Sequence, residues 1–90
     1  MSKFQLGQVC ATPAALEALQ VNEVIPADLL ARHHNGDWGD LDDDDKTENE
    51  YSVKHGLRIF SAYNLKDGQR IWILTEWDRS ATTLLTPSEY

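Results

Sequence analysis

The sequence lacks the features that signal export, insertion in a membrane or a disulfide-stabilised fold. Its single cysteine, Cys10, cannot form an internal disulfide, which favours a reducing, cytoplasmic setting. Cys10 lies in an apolar stretch and is predicted to be a buried, unreactive side chain. No stretch approaches the roughly 18 apolar residues of a membrane span, and none near Met1 has the length of a signal-peptide core. We therefore expect a cytoplasmic protein that does not contact a membrane.

Motifs for catalysis or cofactor binding are also missing. The sequence has no Gly-rich phosphate loop, no paired-cysteine zinc motif and no nucleophile elbow. His33 and His34, with Asp37 and Asp40 nearby, are metal-ligand types, but adjacent histidines point about 100° apart on a helix and rarely share one ion. The consecutive acids at 42–45 lack the alternate spacing and the glycine of a calcium loop. We therefore predict neither a metal nor a cofactor.

An excess of basic residues is absent. The net charge is −7, and residues 37–50, here called the acidic segment, hold eight acidic side chains against one base, Lys46. The rest of the chain is balanced, so the charge distribution disfavours direct binding to DNA or RNA and favours a basic partner. The predicted partner-binding residues are the acids of the segment and the Trp that we expect to anchor it: Asp37, Trp38, Asp40, Asp42, Asp43, Asp44, Asp45, Glu48 and Glu50.

The first part of the chain, about residues 12–55, carries helix signals. Thr12 followed by Pro13 is a typical N-cap and first-turn pair, and Pro26 opens a second helix in the same way. Gly56 is a typical helix stop. The predicted helices span 13–20, 26–34 and 47–55, and residues 36–46, which show no apolar period, are predicted to form an acidic loop.

Strand signals dominate the last third of the chain, about residues 57–86. The predicted strands span 57–65, 70–77 and 81–86, with a further short strand over 5–11. Asp67-Gly68 predicts a tight hairpin between the first two. A two-residue loop would place Tyr63 opposite Trp72, with Ile71 and Ile73 on the other face. Both faces of this meander are then apolar.

These elements predict a single α+β domain over residues 1–90. Two or three short helices are expected to pack on a three- to four-stranded antiparallel sheet. An apolar sheet needs cover on both faces. We expect the helices on one face, and either the acidic loop with Trp38 or a second copy of the protein on the other.

A dense polar set lies near the end of the second predicted meander strand. Metal-independent ribonucleases on helix-and-sheet scaffolds use a Glu or His base, a His acid and an Arg that stabilises phosphate charge. The candidates of this kind are His55, Arg58, Glu76 and Arg79. Polar residues also collect at strand ends for structural reasons, and we expect that role here, with catalysis as the alternative.

Three stretches carry a spaced motif: ARHHNGDWG at 31–39, GLR at 56–58 and WILTEWDRSATT at 72–83. They resemble a family of small proteins encoded on bacterial plasmids, integrative elements and phages, often labelled plasmid-related protein or type I restriction endonuclease subunit M. An adenine methylase needs a Rossmann-like cofactor domain and an Asn/Asp-Pro-Pro-aromatic loop, which this sequence lacks. The resemblance implies a mobile-element setting, where small acidic proteins often inhibit host defences, and it supplies no catalytic residues.

The sequence therefore favours a non-enzymatic binding protein of a bacterial mobile element. We expect it to act as an anti-CRISPR or anti-restriction inhibitor by presenting the acidic segment to a basic protein or nucleoprotein complex of host defence. Two alternatives stay open. One is a small metal-independent ribonuclease or related hydrolase, and the other is a homodimeric structural or regulatory module that uses the second sheet face.

Overall fold

A computed structural model describes residues 3–90 and shows three helices packed on a four-stranded sheet. The α+β class predicted from the sequence is confirmed. In chain order the elements are β1 (Gln8–Ala11), α1 (Pro13–Val21), α2 (Pro26–His34), α3 (Asp43–His55), β2 (Ile59–Asn64), β3 (Arg70–Thr75), β4 (Ala81–Leu85) and a short 3₁₀ turn (Pro87–Glu89).

The sheet has the strand order β1-β4-β3-β2. The strands β2, β3 and β4 form the predicted antiparallel meander, and β1 adds to it in parallel beside β4, with Val9 opposite Thr82. The sheet is therefore antiparallel apart from this one pair. The order places β1 and β2 at opposite edges.

The β2–β3 hairpin loop is one residue longer than we expected. The Leu65 amide donates to the Gln69 carbonyl (2.7 Å) and the Gly68 amide to the Leu65 carbonyl (3.0 Å), with Gly68 at φ 93°. This is a three-residue loop that ends in a glycine bulge. Because side chains alternate between faces, the one-residue shift reverses the predicted grouping of the β3 side chains. Tyr63 lies opposite Ile71, not Trp72.

The helices α1 and α2 cover the sheet face that carries Ile71 and Ile73. Thr12 caps α1 as predicted, since its hydroxyl accepts from the Ala15 amide (3.1 Å). The buried apolar cluster between helices and sheet consists of Ala15, Ala18, Leu19, Leu29, Tyr63, Leu65, Ile71, Ile73 and Leu84. Because these side chains form one contiguous apolar cluster, this face of the sheet, rather than the face with Trp72, packs under the helices.

The second sheet face has no helix over it among residues 3–90. Phe60, Trp72 and Leu74 lie half-buried on it, and the Tyr90 ring packs edge-on against Trp72. The prediction that Trp38 covers this face is wrong. Trp38 is 4% exposed because it packs instead against His33 of α2.

The helix α3 begins four residues earlier than we predicted. Asp42 is its N-cap and accepts from the Asp45 amide (2.8 Å), so the expected acidic loop ends at residue 42. Acidic side chains in a first turn are favourable because they face the positive end of the helix dipole. The apolar period that usually reveals a helix is absent, since the buried residues of α3 are Asn49 and Ser52.

The outer edge of β2 is covered along its length. The Asn49 side-chain amide bonds both the carbonyl (2.6 Å) and the amide (3.2 Å) of Phe60. Next along the strand, the Asp40 amide donates to the Ala62 carbonyl (2.7 Å), and the Asp40 carboxylate accepts from the Asn64 amide (2.8 Å). These bonds satisfy backbone groups that an edge strand otherwise leaves open.

Two further observations concern Cys10 and membranes. Cys10 is exposed, not buried as we predicted, because β1 is an edge strand and no helix covers the face to which Cys10 points. Among residues 3–90 there is no helix of the length and apolarity needed to cross a membrane.

Candidate functional site

Several acids of the acidic segment are held by the fold itself. Asp37 forms an ion pair with Arg32 (2.7 Å), and this hydrogen bond lowers the pKa of Asp37. The Glu50 carboxylate accepts from the indole N–H of Trp38 (2.7 Å). Together with the Asp40 and Asp42 bonds described above, these contacts attach the segment to α2, β2 and the start of α3.

A second group of acids has no such contacts. The side chains of Asp43, Asp44, Asp45 and Glu48 form no hydrogen bond or ion pair with another side chain among residues 3–90. They lie on the first two turns of α3. The negative charge that remains for a partner is therefore concentrated there. Trp38, predicted as part of the binding surface, is buried and anchors the segment from below.

Two hollows adjoin near this acidic helix end. The acidic hollow, about 390 Å³, is lined by Asp45, Glu48, Asn49, Ser52, Leu57, Arg58 and Phe60. The aromatic hollow, about 190 Å³, is lined by Arg58, Phe60, Trp72, Leu74 and Tyr90. Because Arg58 and Phe60 line both, the charged surface of α3 and the uncovered sheet face form one continuous surface.

The aromatic hollow contains residue types that dominate protein-binding energetics. Trp72 packs edge-on against Phe60 and Tyr90, with ring centroids 5.5 Å apart in each pair. Trp, Tyr and Arg are enriched among residues that carry most binding energy. The Trp72 indole nitrogen is buried without a hydrogen-bond partner among the described residues. An unmet buried donor costs about 1–3 kcal/mol.

The four candidates for catalysis are placed in different surroundings. Arg58 contacts Glu76 (3.5 Å) and donates to the Tyr90 hydroxyl (2.9 Å). His55 is exposed and stacks on the Tyr51 ring at a centroid distance of 4.0 Å. The structure thus brings Arg58 and Glu76 together beside the aromatic hollow.

The Arg79 side chain bonds the protein backbone. Its guanidinium donates to four backbone carbonyls, those of Leu57 (2.6 Å), Glu76 (3.2 Å), Trp77 (3.2 Å) and Ser52 (2.9 Å). These bonds join the C-terminal end of α3 to the β3–β4 turn. Both terminal nitrogens of its guanidinium are therefore engaged by the fold.

His33 is the functional group whose surroundings the sequence did not reveal. It is 0% exposed, and its Nε2 lies 2.9 Å from the Thr75 hydroxyl, while Nδ1 bonds the Ser61 hydroxyl. Thr75 bonds Thr82 (2.7 Å), which donates to the Leu6 carbonyl (2.7 Å). Ser61, Thr75 and Thr82 are polar residues at inward strand positions. These positions can be recognised as inward-facing only once the strand register is known.

The proton positions in this network follow from its far end. A carbonyl only accepts, so the Thr82 hydroxyl donates to Leu6 and must accept from Thr75. Thr75 then accepts from Nε2–H of His33, and Nδ1 accepts from Ser61. The neutral imidazole protonated on Nε2 therefore satisfies every member. Desolvation by burial lowers the pKa of His33 to about 3.

The contacts of His33 and Asp37 also concern the residues of metal-ligand type noted in the sequence. His33 has both ring nitrogens engaged in the buried network, and Asp37 is paired with Arg32. Among residues 3–90, no three His, Cys, Asp or Glu side chains converge as metal ligands would.

Comparisons with known proteins add no relative. The chain matches no protein-family model, no curated protein and no solved structure. The resemblance to mobile-element proteins therefore stays a prediction.

Proposed function

We propose that the protein is a non-enzymatic binding protein that docks on a basic protein partner. The observation that carries this proposal is the continuous surface formed by the acidic and aromatic hollows. Unpaired carboxylates of α3 supply charge complementarity, and the aromatic side chains supply an apolar contact that charge alone does not give. Such surfaces steer association and select partners of opposite sign.

The nature of the partner follows from the charge and from the resemblance. A surface with free Asp and Glu side chains repels phosphate, so a basic protein fits it better than free nucleic acid. The mobile-element setting implied by the resemblance adds that the partner is a nucleic-acid-binding complex of host defence. Occupying its basic surface would inhibit it.

The electrostatic part is tested by neutralising the free acids while keeping the N-cap. Asp43→Asn, Asp44→Asn and Asp45→Asn together remove three charges and leave Asp42 in place. The partner is first captured with the wild-type protein from host extract. Its binding to the triple variant should then be about tenfold weaker or more at low salt, with a flatter salt dependence.

The matched control removes three charges elsewhere, through Glu17→Gln, Glu23→Gln and Asp28→Asn. This variant should keep more of the affinity, since these acids lie on α1, on the α1–α2 turn and on α2. Unchanged binding of the α3 variant at low salt would contradict the electrostatic proposal.

The Arg58–Glu76 contact beside the aromatic hollow favours one second candidate, a small ribonuclease or related hydrolase. Purified protein is incubated with labelled RNA and DNA, with and without divalent metal. We expect no cleavage above the level of a mock purification. Reproducible cleavage that Glu76→Gln abolishes would replace the binding proposal with the enzymatic one.

A further inference from the structure

The strand β1 is an open sheet edge. The Gln8 amide donates to the Ser80 carbonyl and the Thr12 amide to the Leu84 carbonyl, both at 3.0 Å. Backbone groups of a strand alternate in direction, so those of the intervening odd residues, Val9 and Ala11, point away from β4. Among residues 3–90 these outward groups have no backbone or side-chain partner, in contrast to the covered edge of β2.

Apart from its shortness, β1 lacks the devices that usually protect an edge. Natural edge strands carry charged residues, proline or a covering segment. Residues 4–16 contain no charged side chain, and Val9 is 44% exposed. The strand is short, which limits the strength of any pairing but leaves its direction and register well defined.

The charge distribution selects the occupant of this edge. The acidic helix α3 lies beside β2, at the opposite edge of the sheet. Two copies that meet through β1 therefore approach with their acidic segments far apart, so the net charge of −7 opposes them least here. β1 itself carries no charged side chain that a basic partner could recognise.

We propose that a second copy of the protein pairs antiparallel with β1 about a two-fold axis at Cys10. Val9 of each copy exchanges two hydrogen bonds with Ala11 of the other, which satisfies all four outward groups on each side. The result is a continuous eight-stranded sheet. The two Cys10 residues then form the non-hydrogen-bonded pair, with Cα atoms about 4.5 Å apart, and their small, uncharged side chains fit at the axis.

The pairing is tested first by removing one outward donor. Val9→Pro deletes an N–H that the sheet of one copy does not use, and proline is tolerated at edge positions of this kind. Sedimentation equilibrium of the wild type should show a concentration-dependent dimer up to about 0.2 mM, since an interface this small gives weak association. Val9→Pro should be monomeric with an unchanged circular dichroism spectrum. A monomeric wild type, or an unaffected dimer of a folded variant, overturns the proposal.

A second pair of measurements does not depend on the folding of that variant. Cys10→Lys places two like charges at the axis and should abolish the dimer. In the wild type, mild oxidation with copper–phenanthroline should link the copies through Cys10, because the proposed separation falls within the Cα range of disulfides. The control carries Cys10→Ser and Lys66→Cys, which moves the thiol to the exposed hairpin loop. Equal cross-linking of the control, or a dimer of Cys10→Lys, overturns the proposal.

Discussion

At the scale of single residues, His33 is the side chain whose chemistry departs furthest from its ordinary behaviour. It is neutral and bonded on both ring nitrogens under α2. A buried, fully bonded polar network specifies one arrangement of helix and sheet, since any shift of α2 leaves several polar atoms unpaired. His33 therefore fixes the position of α2 on the strands that carry Ser61 and Thr75.

The lowered pKa of His33 predicts a loss of stability in acid. The ordinary pKa of 6.5 applies to the unfolded chain, whereas burial lowers the folded value to about 3. Between these values the unfolded state binds a proton that the folded state does not, so the free energy of unfolding falls as pH falls. The stabilisation contributed by the neutral His33 is fully present above pH 6.5. At pH 5 we expect a loss of about 2 kcal/mol from this residue.

Urea denaturation at several pH values measures this loss, with His33→Gln as the comparison, because its unfolding lacks the proton uptake. NMR provides an independent check on the folded wild type. The His33 ring should remain neutral, with its proton on Nε2, throughout pH 5–8. A His33 ring that titrates near its ordinary pKa would show that burial does not have the inferred effect.

At the scale of elements, the Asn49 side chain bonds the outer edge of β2 as the backbone of a neighbouring strand would. Its amide bonds both backbone groups of Phe60 from the buried side of α3. Asn49→Asp keeps the shape but turns the donor into a carboxylate oxygen that faces a carbonyl. At pH 7 we expect a loss of about 2–3 kcal/mol in the free energy of unfolding.

The pH dependence of this variant gives the sharper test. A protonated carboxyl regains a donor, so the deficit of Asn49→Asp relative to wild type should shrink on acidification toward pH 4. The matched control is Asn35→Asp, which alters an exposed amide bonded to the Ala31 carbonyl at 2.8 Å. Its free energy of unfolding should fall by less than about 1 kcal/mol. Similar losses at the two positions would show that the Asn49 bonds do not hold the edge.

The elements also show which structural features the sequence patterns predict. The starts of α1 and α2 were predictable because caps and prolines act within a few residues, as Thr12-Pro13 does. The start of α3 was missed because α3 buries Asn49 and Ser52 rather than an apolar stripe. The hairpin was predictable but its loop length was not. Asp67-Gly68 suits a two- or three-residue loop, and the packing of Ile71 and Ile73 beneath the helices selects between them.

At the scale of the whole molecule, the surfaces have different chemistry on different sides. The acidic end of α3 lies beside the covered β2 edge, the uncharged β1 edge lies opposite, and one sheet face holds the aromatic hollow. The position of the charge was visible in the sequence. Which acids are free was not, because some of the paired acids bond residues far along the chain, as Asp40 does with the Asn64 amide.

The parallel pair β1–β4 has a consequence for how the protein folds as it is made. β1 leaves the ribosome several seconds before β4, at synthesis rates of about 5–20 residues per second. The helices α1 and α2 are likewise completed before the strands that they cover. Pairings between distant residues form slowly, because the intervening chain must first be ordered. We therefore expect the domain to acquire its structure late in synthesis, because β1 pairs with a strand near the end of the chain.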